Sequence, residues 1–338
     1  MIPIAYPKWT AEIGDTLQEV GKSGYWTQGK YTLLAEQALA QHAGTEHCVL
    51  VANGTIALEA ILKTWGINQD WTIATTPFTF IATRRAIEHT GATPIYGDIS
   101  LDTYNLDPTT IDTPVDAFLP VDLYGLPAQN YNNLPTPVFR DSAQAVGSKY
   151  DNNTLASSYS FYATKTVHAG EGGAILTNSD VFADKLRNYR NQGQHQQYQY
   201  VTDDGYNWRI TEFQSAIIYH QLATLDETIA RRKDNAQFYN NLLSDYIVTP
   251  IIYDNHCFHQ YTLRHEKRDE IIVSLTKVGV EAKTYYPQLV SPKETWEQTP
   301  NALEAARTVF SIPVRETLTL EERYYIGDTL KRILGQLE

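Results

Sequence analysis

Residues 48–62 read CVLVANGTIALEAIL. The apolar start has the character of a buried strand that ends at Ala52. Asn53-Gly54-Thr55 turns the chain, and a helical segment follows over 55–65. The same alternation of β-rich runs and helices continues through roughly the first 240 residues, the pattern of a mainly parallel sheet flanked by helices. The spacing predicts strands at 47–52, 72–76, 93–98, 117–121, 138–141, 158–162 and 173–177, with a further helix at 80–89.

A longer helix is predicted from Thr211. Thr211-Glu212-Phe213-Gln214 has capping-box spacing, and Phe213, Ile217, Leu222, Leu225 and Ile229 follow at roughly helical intervals. This helix carries the chain from a large domain, 1–225, into a smaller one, 226–338. The second is expected to be α+β, with strands at 261–264 and 281–285 covered by helices at 268–278, 301–310 and 320–334. A chain of 338 residues exceeds what one core usually holds, which fits two domains.

With 42% hydrophobic and 20% charged residues the composition is that of a soluble globular protein, and the apolar runs are too short to span a bilayer. The opening MIPIAYPKWT lacks a basic segment followed by an apolar core, so a cytoplasmic location without a secretory signal is expected. A net charge of −12 opposes nucleic-acid binding. Cys48 and Cys257 form no CxxC pair and sit among apolar residues. They are read as buried or free thiols in a reducing compartment, with no metal role.

Three places can carry chemistry. The turn at Asn53-Gly54-Thr55 opens a helix whose free N–H groups and dipole suit a phosphate, though the same residues also make a plain capped turn. In PVFRDSAQAVG an apolar strand ends in Asp141, with Gln144 three residues on. Asp141 is either a carboxylate at the ligand-binding edge of the sheet or a helix N-cap. Lys165 lies in SFYATK…GEGGA, on a turn after a strand. It is either a solvated surface charge or a desolvated amine poised to form a Schiff base. Ser160 can share an anion with it, and Gly170, Gly172 and Gly173 leave little bulk around the amine. Together a phosphate-ready terminus, an acid for a ring nitrogen and a lysine for an aldehyde are what pyridoxal 5′-phosphate requires. His168 and His195 match no required base and are read as structural or surface residues.

These residues resemble the DegT/StrS family of sugar aminotransferases, pyridoxal-phosphate enzymes of fold type I. The likeness spans nearly the whole chain, with motifs in the family's order: GYWTQG (24–29), NGTIAL (53–58), FTFIAT (78–83), GATPIYGDIS and DTYNLDP (91–108), VDLYGLPA (121–128), RDSAQAVGSKY (140–150), SFYATK…GEGGAILTN (160–178), GYNWRITEFQSAI (205–217), YYP (285–287) and PNALEA…VFSIPV (300–314). The resemblance implies an α/β fold with a mainly parallel sheet in a large domain and a smaller α+β C-terminal domain. It implies that Lys165 holds the cofactor as a Schiff base and moves the proton, and that Asp141 pairs with the pyridine nitrogen. Gln144 would contact the ring's oxygen side, Phe80 would stack on the pyridine face, and Gly54, Thr55 and Ser160 would hold the phosphate. Asn207 would reach the phosphate from a neighbouring subunit, which implies a homodimer with shared sites.

Four features depart from the family's pattern. The residue before Asp141 is usually acidic and here is Arg140, a cation that can face Asp141 or solvent. Asn53 stands for the usual serine, and Tyr285 for a frequent histidine. The chain is also shorter near 244–256 and between 296 and 300. Relatives that dehydrate carry histidine in place of the lysine, so Lys165 points to transamination. The expected reaction moves an amino group, from L-glutamate, to a keto sugar carried on a nucleotide. A cyclic ketone of the inosose type and a non-catalytic regulator are the alternatives.

Overall fold

The computed structural model describes residues 1–132, 134–151 and 153–337. Seven strands form the main sheet: β1 (His47–Val51), β2 (Thr72–Thr75), β3 (Thr93–Tyr96), β4 (Ala117–Phe118), β5 (Phe139–Asp141), β6 (Ala156–Ser160) and β7 (Gly173–Thr177). β2 pairs in parallel with β3 and β4, and β5 in parallel with β6. Parallel bridges Phe118↔Val138 and Val121↔Asp141 join the two halves. β7 alone is reversed, antiparallel to both β6 and β1. The order is therefore β3-β2-β4-β5-β6-β7-β1, mainly parallel as the sequence predicts.

Helices cover both faces, which is why the strands are apolar on both sides. The helices are α1 (Ala11–Ser23), α2 (Lys30–Ala43), α3 (Gly54–Trp65), α4 (Ile81–Glu88), α5 (Asp180–Arg190), α6 (Glu212–Leu222), α7 (Leu225–Leu243), α8 (Arg268–Lys277), α9 (Pro300–Thr308) and α10 (Leu320–Leu334). Strand alternation sorts the core residues. Val49, Val51 and Ile175 pack with Ile61 of α3 and Leu186 of α5, whereas Cys48, Leu50 and Leu176 pack with Leu39 of α2 and Ile218 of α6. No described helix is long and apolar enough to cross a membrane.

β8 (Gln194–Gln196) and β9 (Gln199–Tyr200) form a separate antiparallel pair. A third core lies in the C-terminal part. There β10 (Tyr261–Arg264) and β11 (Val309–Ile312) pair antiparallel, and Tyr239, Phe310, Ile326 and Leu330 pack around them. Three expectations change in this region. The long helix from Thr211 keeps its capping box but ends at Leu222, and α7 starts afresh at Leu225. Apolar spacing runs through the break because Leu222, Leu225 and Ile229 pack with the same core. Asp226 and Glu227 then suit a new helix N-terminus. Residues 281–285 are not a strand. Only Lys283 bridges, to Ser311, before the Tyr285 carbonyl accepts from the Tyr124 hydroxyl and leaves the sheet. The helix expected at 301–310 stops at Thr308, and Val309 and Phe310 open β11 opposite Arg264 and Leu263.

The N-terminal segment ties the parts together. Ile2 bridges Val280, the Ile4 N–H donates to Glu281 at 2.8 Å, and the Lys8 N–H donates to His168 Nε2 at 2.7 Å.

Candidate active site

β1, β5 and β6 end, and β7 begins, at one edge of the sheet, so Asn53, Asp141, Ser160 and Gly173 share that edge. The Asn53 side chain accepts from the Ile56 N–H at 2.9 Å and caps α3. Gly54 and Thr55, the first two residues of α3, keep amide N–H groups with no acceptor inside the helix. The turn is tightly packed. A Cβ on Gly54 would lie 2.7 Å from Ser160 Cβ, and one on Gly173 would lie 2.3 Å from the Asn53 carbonyl oxygen. Close approach therefore requires glycine at both positions. The sequence reading assigns Gly170, Gly172 and Gly173 to space around Lys165. The structure instead sets Gly173 against the Asn53 turn and Gly172 against Phe161 and Ile210.

Lys165 is half-buried on the turn between β6 and β7, not a solvated surface charge. Its backbone is held on both sides: its N–H donates to the Tyr162 carbonyl at 2.8 Å, and its carbonyl accepts from His168 Nδ1 at 3.1 Å. Because Nε2 of His168 accepts from the Lys8 amide, Nδ1 carries the proton and the ring is neutral. Burial lowers the Lys165 amine to about 8, and the Asp141 charge opposes that shift. Amine and carboxyl share no hydrogen bond among the described residues.

Asp141 ends β5, and no helix follows it, so it is not an N-cap. Its Oδ2 accepts from the Thr83 hydroxyl at 2.7 Å and its Oδ1 from the Ala143 N–H at 3.2 Å. Burial raises the carboxyl above its ordinary value, while the Thr83 hydroxyl, the Ala143 N–H and the Lys165 charge pull it back. Arg140 does neither of the things its position suggests. As the preceding strand residue it points to the opposite face, and there it is buried among Asp122, Asp151, Thr154 and the Ala128 carbonyl.

α4 and its N-cap, Phe80, supply two residues to the same spot. Thr83 reaches Asp141, and Phe80, three residues earlier, is 54% exposed, a large apolar face open at the site. Its ring lies 5.9 Å from that of Tyr286. Gln144 is fixed from two sides, accepting from the Tyr124 N–H at 2.9 Å and donating to the Tyr286 hydroxyl at 3.1 Å. The structure thus gathers Gly54, Thr55, Phe80, Asp141, Gln144, Ser160 and Lys165 at one end of the sheet. Asn207 stands apart. It is exposed, its backbone bridged to Asn191, while the next residue, Trp208, accepts from the Ala52 N–H at 2.9 Å.

Sequence reasoning assigned no role to Thr83, Tyr286 or His259. Thr83 stands three residues after Phe80 on a predicted helix, so its spacing marks it. Tyr286 lies in YYP but meets Gln144 only through tertiary packing. His259 is buried, and burial with the Lys165 and Arg232 charges holds its imidazole well below its usual value. No spacing in the sequence marks it.

The description of the DegT/DnrJ/EryC1/StrS aminotransferase family matches residues 7–331. A protein of Geobacillus stearothermophilus named "Pleiotropic regulatory protein" is 33% identical, over 96% of this chain and 95% of its own. The UDP-2-acetamido-2-deoxy-3-oxo-D-glucuronate aminotransferase of Pseudomonas aeruginosa is 31% identical, over 89% of this chain and 90% of its own. Among solved structures, S. venezuelae DesV, in complex with a ketimine intermediate, superposes with a TM-score of 0.89 at 30% identity, over 96% of this chain and 94% of that one. The chain belongs to the DegT/DnrJ/EryC1/StrS aminotransferase family and is a pyridoxal 5′-phosphate-dependent aminotransferase.

Proposed function

We propose that this protein transfers an amino group from L-glutamate to the keto group of a sugar carried on a nucleotide, and that it works as a homodimer. The observation that carries the reading is the pairing of a desolvated amine, Lys165, with a buried carboxyl, Asp141, beside an anion-ready helix terminus. The nucleotide sugar is supported by the Pseudomonas aeruginosa relative, whose name states such a substrate.

The residues present fit the cofactor. Gly54 and Thr55 offer amide N–H groups, and Ser160 a hydroxyl, to its phosphate. Asp141 would offer an acceptor to its protonated ring nitrogen, and the exposed Phe80 ring would offer it an apolar face. When bound, the cofactor supplies an electron sink for negative charge at the reacting carbon. The protein does the rest. Lys165 Nζ would hold the cofactor aldehyde. As a free amine it is placed to accept a proton from the donor's α-carbon and, in the return direction, to deliver one to the sugar carbon that receives nitrogen. Thr83 and the Ala143 amide orient Asp141, and His168 fixes the Lys165 backbone. Asn207 reaches the phosphate of the partner's site. In domain terms, residues 1–225 carry these groups and 226–338 form the smaller domain beside them.

The test is a two-stage assay on purified protein. Glutamate alone should convert the yellow bound cofactor to its amine form, and a nucleotide-linked keto sugar should restore the yellow band. Restoration by inosose and not by 3-keto or 4-keto nucleotide sugars would replace the substrate assignment. No change with glutamate would remove glutamate as the amino donor.

A further inference from the structure

Behind Asp141, on the other face of the sheet, lies a second buried carboxylate. Asp122 is 2% exposed and follows Val121, which bridges Asp141 on the neighbouring strand; the Asp122 N–H donates to the Asp141 carbonyl at 2.9 Å. Two carboxylates one strand apart in a low-dielectric interior disfavour each other's ionisation. The Asp122 charge indeed acts to hold Asp141 protonated.

Arg140 answers that charge. It is 3% exposed, and its Nη1 donates to Asp122 Oδ1 at 3.0 Å and to the Ala128 carbonyl at 2.8 Å. Nε donates to Thr154 at 2.8 Å, and Nη2 to the part-exposed Asp151 at 2.7 Å. Asp122 also accepts from the Ser142 hydroxyl at 2.5 Å and the Ala128 N–H at 2.8 Å. Among the described residues, Tyr131, Tyr159, Cys257 and Tyr150 around this pair are each raised by burial and therefore neutral, and Lys149, which lines the same cavity, is exposed. Facing Asp141 itself are Lys165, Thr83 and Tyr286, the last also raised by burial to a neutral phenol. Arg140 is thus the buried cation that cancels Asp122.

We propose that Arg140 is a positioning residue for the cofactor ring: by neutralising Asp122 across the sheet, it keeps the Asp141 carboxylate ionised and available to the ring nitrogen. It touches neither the ring nor Asp141 and acts through Asp122. The inference rests on the cofactor site proposed above.

The test is the pH dependence of pyridoxal-phosphate binding by the apoprotein, read by equilibrium dialysis. Binding should weaken at the acid end as Asp141 protonates. In Arg140→Gln that weakening should move to higher pH, with an affinity loss of roughly tenfold or more near neutrality. Asp122→Asn should move it to lower pH, and the double variant should return toward the unaltered protein. A merely structural role would weaken both single variants alike, with no shift of the profile. The proposal is overturned if Arg140→Gln keeps the original profile, or if the two single variants shift the same way. Should Arg140→Gln not fold, Asp122→Asn and the double variant decide: a downward shift in Asp122→Asn that the double variant reverses supports the proposal, and any other pattern overturns it. If the unaltered protein bound no cofactor at any pH, the site assignment itself would fall, and the proposal with it.

Discussion

Lys165 gains its chemistry from its surroundings. Held at about 8 by burial, its amine loses its proton well below the ordinary lysine range. Capture of pyridoxal phosphate by the apoprotein should quicken with rising pH and level off just above about 8. Stopped-flow absorbance can follow it, and a rate still climbing steeply at pH values of about 10 would contradict the shift. The same depression has a sign for stability. Between about 8 and the usual 10.5 the unfolded chain binds more protons than the folded one. The cost of burying this amine is therefore full below 8 and lifts as pH rises. Lys165→Ala should lower turnover by about 10³-fold or more, while the phosphate site still retains cofactor without a covalent link. Undiminished glutamate turnover in that variant would remove Lys165 from its role. Lys165 and Asp141 were legible because their motifs are local. The role of Arg140 was not: strand alternation turns it away from Asp141, but its partners there, Asp122 and Asp151, come from other segments.

Element boundaries follow the same division between local and distant causes. The capping box at Thr211 could be read directly, because both of its hydrogen bonds lie within four residues. The break at Leu222 could not, because the apolar spacing continues into α7. Residues 281–285 have strand-like composition, yet only Lys283 bridges, and β11 takes the place beside β10. The turn after β1 is the element most exposed to small changes. Gly173→Ala would press a methyl group into the Asn53 backbone, which lies at a helix start and has little room to yield. We expect a loss of about 1–3 kcal/mol in thermal unfolding, together with weaker cofactor retention. Wild-type stability in this variant would mean that the turn is looser than its contacts show. Asn53→Ala removes only a cap and should cost about 1 kcal/mol.

At the scale of the whole molecule, Asn207 separates an enzyme complete in one chain from one shared between two. It is exposed, although Trp208 beside it is tied to the end of β1. If it serves the partner's phosphate, subunits carrying Lys165→Ala and subunits carrying Asn207→Ala should complement when co-expressed. Each mixed dimer would then hold one site with both residues intact. No gain over either parent would place Asn207 in its own chain's site or outside the site. The α/β class and the seven strands of the main sheet were readable from alternation, but strand order and the reversal of β7 arise from pairings between distant segments. The two thiols offer a way to watch this architecture open. Cys48 lies within β1, and Cys257 is wedged beside the carbonyls of Gly125 and Gln144; both are buried, and Cys257 is raised to about 12. A thiol-reactive dye should ignore both in the native state and label each only at the frequency with which its region breathes. Cofactor loading should slow the labelling of Cys257 more than that of Cys48, turning an inert sulfur into a gauge of how firmly the wall behind Gln144 is shut.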